Sequence, residues 1–140
     1  MRKYTFEHHF TLEEANALLP KLTTLLLQIQ ENLETLRIQQ EKSLNALRIA
    51  STNGEQHKPD EPDALEIIRG LAAKIEDYGC LIKDYGTGLI DFPHLLDGRE
   101  VFLCWKLGEP EIQAWHELDA GFGGRQPLPA RQTKSKKRKA

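Results

Sequence analysis

Residues 12–50 read LEEANALLPKLTTLLLQIQENLETLRIQQEKSLNALRIA, and their apolar side chains recur at helical spacing. Two sets of positions repeat every seven residues: Leu12, Leu19, Leu26, Leu33, Gln40 and Leu47, and Ala15, Leu22, Ile29, Leu36, Ser43 and Ala50. A repeat of 3.5 residues keeps such side chains along one seam of a helix, as in coiled coils. Pro20 lies inside the seam and predicts either a kink or a short helix over 12–18 followed by a long one from Pro20.

A second helix is predicted after a polar turn at residues 51–60, which contains the helix breakers Gly54 and Pro59. The seam spacing then recurs at Leu65, Ile68, Ala72, Ile75, Gly79 and Ile82. Because the connection is short, we expect the two helices to pair as a long antiparallel, coiled-coil-like hairpin over about 12–84.

Shorter segments on both sides of the hairpin predict a small β-module. Residues 3–10 alternate between two sides, as a half-buried strand does. The pair Asp97-Gly98 is a strong hairpin-turn signal, residues 99–106 read as a strand, and residues 111–117 as a third strand or as one or two helical turns. The predicted fold is therefore α+β, with an antiparallel β-meander over about 87–118 that pairs with 3–10 at the base of the hairpin.

The charge of the chain is unevenly distributed. Of its 140 residues, 1–128 are expected to form one domain and 129–140 a basic, disordered tail. Six of the 19 basic residues and none of the 21 acidic ones lie in 131–140, so the other 130 residues carry a formal charge of −8. An acidic body is a poor nucleic-acid-binding surface, and any weak nucleic-acid contact is expected through Lys134–Lys139 in the tail.

The chain is expected to be cytoplasmic. It has no apolar run of the ~20 residues that a membrane span needs, and residues 1–6 lack the apolar stretch of a signal peptide. Cys80 and Cys104 are the two cysteines of the sequence, too few for a disulfide framework, so both thiols are expected to be reduced.

Several strings of the sequence carry a family resemblance. They are residues 79–84, 88–93, 97–101, 103–112 and 115–117, with FTLEEAN at residues 10–16 as an opening and residues 121–128 as a close. Together they resemble a bacterial family, domain-of-unknown-function family 2203, over nearly the whole chain except the basic tail. The resemblance implies a fold family without an established activity, so function is argued from the residues themselves.

One candidate ligand-binding segment is residues 108–125, which read GEPEIQAWHELDAGFGGR. Its candidate residues are Glu109, Trp115, His116, Glu117, Asp119 and Arg125. The glycine-rich loop and the guanidinium of Arg125 could hold an anion. The alternative is structural: Arg125 pairs with Glu109, Glu117 or Asp119, and the glycines serve the turn.

No cofactor is favoured by the sequence, and zinc is the alternative. Thiolate and imidazole ligands suit zinc, and Cys80, Cys104 and His116 could supply them, although they stand singly rather than in paired motifs. The same residues admit cysteine nucleophilic catalysis with His116 as the base, or two buried structural thiols.

The favoured function is a non-enzymatic interaction protein, with catalysis left open. The hairpin carries more apolar surface than two helices cover, so we expect a homodimer or homo-oligomer that Leu33→Asp weakens. The alternative is a small-molecule-, anion- or metal-binding protein that uses the 108–125 segment.

Overall fold

The computed structural model describes residues 4–53 and 63–129. Two helices come first, α1 (Leu12–Asn53) and α2 (Ala64–Asp77). Five strands follow: β1 (Leu81–Asp84), β2 (Leu89–Leu96), β3 (Arg99–Lys106), β4 (Ala114–Glu117) and β5 (Gln126–Pro127), with one short 3-10 helix at Phe122–Gly124. The strands form a single antiparallel sheet in chain order. The α+β prediction is confirmed. Of the predicted polar turn at 51–60, residues 51–53 belong to α1 and residues 54–60 lie outside the described residues, as do residues 130–140 of the predicted tail at 129–140.

Helix α1 begins at a capping box and continues through Pro20. The Thr11 N–H donates to Glu14 Oε1 at 2.9 Å, and the Glu14 N–H donates to Thr11 Oγ1 at 3.0 Å. The alternative of a separate helix over 12–18 is wrong, because α1 is one 42-residue helix. Pro20 itself is exposed, while Leu19 and Leu22 are buried. Apolar burial on both sides of the proline offsets the backbone hydrogen bond that it removes.

Helix α2 is shorter than the seam spacing predicted. It ends at Asp77 with Tyr78 as its C-cap, and Gly79 takes a φ of +106°, a conformation that ends helices and favours glycine. The predicted continuation of the helix to about 84 is therefore wrong, and residues 81–84 form β1 instead. Helix α2 runs antiparallel to α1, since Lys74 and Tyr78 near its end line a groove with Lys21 and Leu25 near the start of α1.

The sheet is closed to water on both faces along β2 and β3. One face carries Ile90, Phe92, Leu103 and Trp105, which pack with the buried α1 positions Leu22, Leu26 and Ile29 and with Ile68 and Ile75 of α2. The opposite face, called here the second face, carries Asp91, Pro93, Phe102, Cys104 and His116. Residues at cross-strand pairs share a face, so this division follows directly from the register.

The hairpin turn predicted at Asp97-Gly98 is confirmed between β2 and β3. Asp97 has a φ of 52° and Gly98 a φ of 82°. Positive φ at both central residues is what a type I′ hairpin turn requires, and Asp-Gly is a favoured pair for it. The predicted third strand is confirmed over 114–117 of the proposed 111–117.

The predicted strand at residues 3–10 is wrong, because the described residues 4–10 carry no strand. This segment wraps around the edge of β2: Phe6 packs on Phe102 of the second face, and Phe10 packs on Phe92 of the helix-side face. A backbone hydrogen bond joins the Phe10 N–H of this segment to the Pro93 carbonyl of β2 at 2.7 Å. Because a proline has no N–H to return, a strand ladder cannot form there.

Neither helix in the described part of the chain is both long enough and apolar enough to cross a membrane.

Gly88 is expected to tolerate no side chain. It has a φ of +75°, and a Cβ added there would lie 2.7 Å from the Cβ of Leu107. We expect Gly88→Ala to lower the free energy of unfolding by about 2 kcal/mol or more, through backbone strain and overlap. Gly86→Ala is the matched control, since its Cβ would meet nothing closer than 3.8 Å and should change stability by less than about 0.5 kcal/mol. Urea denaturation of both variants measures the difference, and equal stability would contradict this role for Gly88.

Candidate functional site

Three neighbouring strands bring one carboxylate, one thiol and one imidazole together on the second face. Asp91 of β2 lies opposite Cys104 of β3, and His116 of β4 lies opposite Phe102, two residues along β3 from Cys104. Their exposed fractions are 1%, 0% and 3%. One ligand atom from each residue lies within 4.8 Å of the other two. The cluster is therefore a candidate metal centre as well as a buried polar network.

Hydrogen bonding fixes the orientation of the His116 ring. Its Nδ1 lies 2.7 Å from the Glu117 carbonyl oxygen, an acceptor, so Nδ1 carries a proton and donates. Its Nε2 lies 3.0 Å from Asp91 Oδ2. A proton must lie between Nε2 and this oxygen if they are hydrogen-bonded, carried either by the imidazole or by the carboxyl group. In a neutral ring without that proton, Nε2 would present its lone pair to the cluster.

Burial controls the electrostatics of the cluster. It raises the pKa of the Asp91 carboxyl above its ordinary value, although His116 and Lys83 act in the opposite direction. The Lys83 Nζ lies 4.0 Å from Asp91 Oδ2 and 5.0 Å from the centroid of the Phe102 ring. The Lys83 side chain is 42% exposed, so one end of the cluster is bordered by a side chain that reaches water.

Cys104 is a poor nucleophile in this environment. Burial, reinforced by the charge of Asp91, raises the pKa of its thiol to about 12. The group is therefore a neutral thiol near pH 7, whereas nucleophilic catalysis needs a thiolate in an accessible cleft. The geometry does not support the cysteine-nucleophile alternative.

Cys80 does not join the cluster. Its thiol belongs to the core on the helix side of the sheet, and its Sγ donates to the Ile75 carbonyl at 3.3 Å. Burial raises the pKa of this thiol to about 12 as well. Of the predicted ligand set Cys80, Cys104 and His116, the structure brings the last two together and replaces the first by Asp91. The available signal for Asp91 is an acidic residue between the apolar residues Ile90 and Phe92, which is unusual for a buried position.

The 108–125 segment places Arg125 against Glu109. The Arg125 Nη2 lies 3.0 Å and 3.1 Å from the two Glu109 carboxylate oxygens, and both side chains are mostly buried. The Glu109 carboxylate also accepts from the Lys106 N–H at 2.9 Å. This arrangement is the structural alternative raised by the sequence, with Glu109 as the partner of Arg125.

The other members of the predicted ligand set lie elsewhere. Glu117 forms an ion pair with Arg99, and the Arg99 guanidinium lies 5.6 Å from the centroid of the Trp115 ring. Trp115 and Glu117 face the opposite side of β4 from His116, and Asp119 is exposed. The six residues therefore form separate groups among the described residues, and common ligand binding by them stays a prediction.

The segment before α1 closes one side of the second face through Glu100. The Glu100 carboxylate accepts from the Thr5 N–H at 2.8 Å and the Phe6 N–H at 2.9 Å, and it lies 2.8 Å from His9 Nε2. Burial alone would raise the pKa of Glu100, but the hydrogen bonds from His9, Phe6 and Thr5 outweigh it and lower the pKa to about 2. Phe6 is thereby held against Phe102, next to His116.

Comparison with known proteins gives one family. The sequence model of the family described as Uncharacterized conserved protein (DUF2203) matches residues 8–128. No curated protein matches the chain, and no solved structure does.

The Glu100 contacts predict an acid-sensitive attachment of the N-terminal segment. The pKa of Glu100 is about 2 when folded against an ordinary value of 4.5, so its contribution to stability is complete above about pH 4.5 and is lost as the pH falls through about 2. We expect Glu100→Gln to be less stable than wild type near neutrality, with a difference that shrinks across this window. Urea denaturation at stepped pH measures it, with the exposed Glu111→Gln as control. A difference that does not change with pH would contradict the prediction.

The pairing of Arg125 with Glu109 predicts a structural rather than a ligand-binding role for Arg125. We expect Arg125→Ala to lower the free energy of unfolding by about 1–3 kcal/mol, because it leaves a mostly buried carboxylate without its partner. A double-mutant cycle with Glu109→Ala should give a coupling energy of at least about 0.5 kcal/mol. Thermal melts with phosphate or sulfate test the alternative: anion stabilisation of wild type that Arg125→Ala abolishes would assign Arg125 to an anion site.

Proposed function

The chain belongs to the family described as Uncharacterized conserved protein (DUF2203), and we propose that this protein is a non-enzymatic interaction protein that forms a homodimer through the outer half of α1. The supporting observation is an apolar stripe on α1 that α2 and the sheet cover at one end and leave exposed at the other. The exposed leucines of that stripe are Leu44 and Leu47, with exposed fractions of 61% and 67%.

The covered and exposed parts belong to one continuous face of the helix. Leu33, Leu36, Gln40, Leu44 and Leu47 follow one another at intervals of three or four residues, which keeps them within a narrow stripe. Leu33 and Leu36 pack against the core cluster. Beyond Leu36 the same stripe is exposed to water. Among the described residues, no helix or strand covers Leu44 and Leu47 as α2 and the sheet cover the earlier part of the stripe.

A second copy of the chain is the occupant that fits this stripe. The body as a whole carries a formal charge of −8 and would repel its own copy, but residues 34–48 contain two acids and three bases. Three of these five charges are already engaged within the helix, because Arg37 pairs with both Glu34 and Glu41. Two such segments can therefore approach without strong like-charge repulsion, and two identical leucine stripes bury each other as in an antiparallel coiled coil.

Two further parts of the proposal rest on separate observations. A reducing, cytoplasmic location is supported by Cys80 and Cys104, which are both buried and free. Weak nucleic-acid contact through Lys134–Lys139 is supported by sequence charge alone, since that segment lies beyond the described residues. Anion binding by the 108–125 segment is not favoured, because the Arg125 guanidinium is engaged by Glu109.

Replacing both exposed leucines tests the dimer. Leu33→Asp would also disturb the core against which Leu33 packs, so the sharper variant is Leu44→Asp with Leu47→Asp. Removing two leucines per copy from the interface should raise the dimer Kd about 100-fold or more, since each buried leucine contributes about 1.5–3 kcal/mol. Sedimentation equilibrium at micromolar concentration measures the change.

Ile38→Asp is the matched control for this experiment. Ile38 is an exposed apolar residue of the same helix, 38% exposed, but it lies two and a half turns from Leu47 and hence on the opposite side. We expect this variant to dimerise like wild type. A monomeric wild type, or equal weakening by the control, would refute self-association through the stripe.

A further inference from the structure

We propose that Asp91, Cys104 and His116 bind one divalent transition-metal ion, with zinc the best match, as a structural site that ties β2, β3 and β4 together. This inference is independent of the proposed dimer. It rests on four observations about the cluster: the convergence of its ligand atoms, the orientation of His116, an unsatisfied oxygen of Asp91, and the charge balance of the ligand set.

The ligand atoms converge to the scale of a metal site. Zinc bonds of about 2.0–2.3 Å in a tetrahedron separate neighbouring ligand atoms by about 3.3–3.8 Å. In the cluster the His116 Nε2 and Asp91 Oδ2 are 3.0 Å apart, and one ligand atom from each of the three residues lies within 4.8 Å of the others. Small side-chain rotations therefore reach coordination distances, and three paired strands hold the backbones in place.

His116 is already oriented as a metal ligand. A coordinating histidine usually donates its second ring N–H to a carbonyl or carboxylate, which fixes the ring and leaves the other nitrogen for the metal. Here Nδ1 is held by the Glu117 carbonyl at 2.7 Å, and Nε2 faces Asp91 and the cluster.

The Asp91 carboxylate has an unused acceptor at the cluster. Its Oδ1 is buried and has no partner at hydrogen-bonding geometry among the described residues, although the Cys104 thiol beside it is close enough to lower the pKa of the carboxyl group. A buried carboxylate oxygen without a partner is costly, and such an oxygen in a native protein calls for a proton, a water molecule or an ion. A metal ion bound by Asp91 would satisfy the carboxylate.

Charge balance selects the class of ion. A thiolate, a carboxylate and a neutral imidazole carry two negative charges, so a divalent cation makes the buried set neutral. The sulfur ligand disfavours magnesium and calcium, which prefer oxygen, and a set of one S, one N and one O donor suits zinc or cobalt. Metal binding would also displace the proton of the Cys104 thiol, as it does for coordinating cysteines generally.

The fourth ligand of the metal ion would lie on the side of the cluster that Lys83 borders. Lys83 is the partly exposed residue beside Asp91, and its ammonium lies 4.0 Å from Asp91 Oδ2. Because this side chain is 42% exposed, a water molecule entering beside it would supply the fourth ligand. The alternative is a metal-free network in which Asp91 and His116 share a proton and Lys83 supplies the countercharge.

Cobalt binding by the full chain distinguishes the two cases. Co²⁺ coordinated by a thiolate gives a charge-transfer absorption that histidine and carboxylate sites lack. We expect wild type, freed of metal with a chelator, to take up one Co²⁺ per chain with this absorption, and Zn²⁺ to displace it. Cys104→Ser should abolish the absorption, and Asp91→Asn should weaken the metal Kd at least about 100-fold. Cys80→Ser is the matched control, because its thiol lies on the other face of the sheet, and it should bind as wild type does.

A second measurement keeps the test decisive if a variant unfolds. Zinc should raise the Tm of wild type and of Cys80→Ser in proportion to the logarithm of its concentration. Wild type that takes up no metal would overturn the proposal in favour of the metal-free network, and wild type that takes up metal without the thiolate absorption would overturn the role of Cys104 as a ligand. Loss of the absorption in Cys80→Ser but not in Cys104→Ser would overturn the assignment of the ligands.

Discussion

Strands β2 and β3 are buried on both faces, and this burial determines how the other segments of the chain are arranged. Most antiparallel sheets of this size leave one face to water. Here the helices take one face, and the N-terminal segment together with β1 and the loops near Arg125 closes on the other. Every polar side chain that points inward from these two strands must then find its partner in the protein, because water is not available to it.

This burial explains why the buried polar side chains described above have hydrogen-bond or ion-pair partners within the protein. Asp91 meets His116 and Lys83, and His94 bonds to the Phe10 carbonyl at 2.7 Å and so anchors the start of α1. Glu100, at the border of the second face, collects two backbone N–H groups and His9. Glu100 on the second face and His94 on the helix-side face thus hold the N-terminal segment in place, while the apolar contacts of the helix-side face hold the helices.

The parts that sequence predicts well are those with local signals. The seven-residue repeat predicts α1 because the buried positions Leu22, Leu26 and Ile29 follow that period, and Asp97-Gly98 predicts its turn because few residue pairs tolerate two positive φ angles. The seam spacing predicts a helix through residues 81–84 because Ile82 follows Ile75 by seven residues, although the same residues form strand β1. Residues 4–10 do alternate between two sides, but a strand there needs a neighbouring strand that can both donate and accept backbone hydrogen bonds. Pro93 of β2 accepts one from Phe10 and has no N–H to donate.

The candidate metal centre could be predicted only in part, for a related reason. Cys104 and His116 draw attention by residue type, but their meeting with Asp91 depends on the register of β2, β3 and β4. A slip of one residue would send Asp91 to the helix side of the sheet, and no short-range pattern excludes that slip. Arg125 and Glu109 pose the same difficulty, since their pairing depends on the path of the chain between β3 and β5.

The chain order of the elements has a consequence for biosynthesis. Helix α1 leaves the ribosome before any of the strands that bury Leu22, Leu26 and Ile29, because the sheet lies wholly C-terminal to both helices. At about 5–20 residues per second, several seconds pass before β2 and β3 follow. During that time a nascent amphipathic helix has no sheet to pack against, so the emerging chain presents the kind of transient apolar surface that chaperones recognise. Once the strands leave the ribosome, each can pair with the strand before it. The sheet can therefore form one hairpin at a time and then pack against α1.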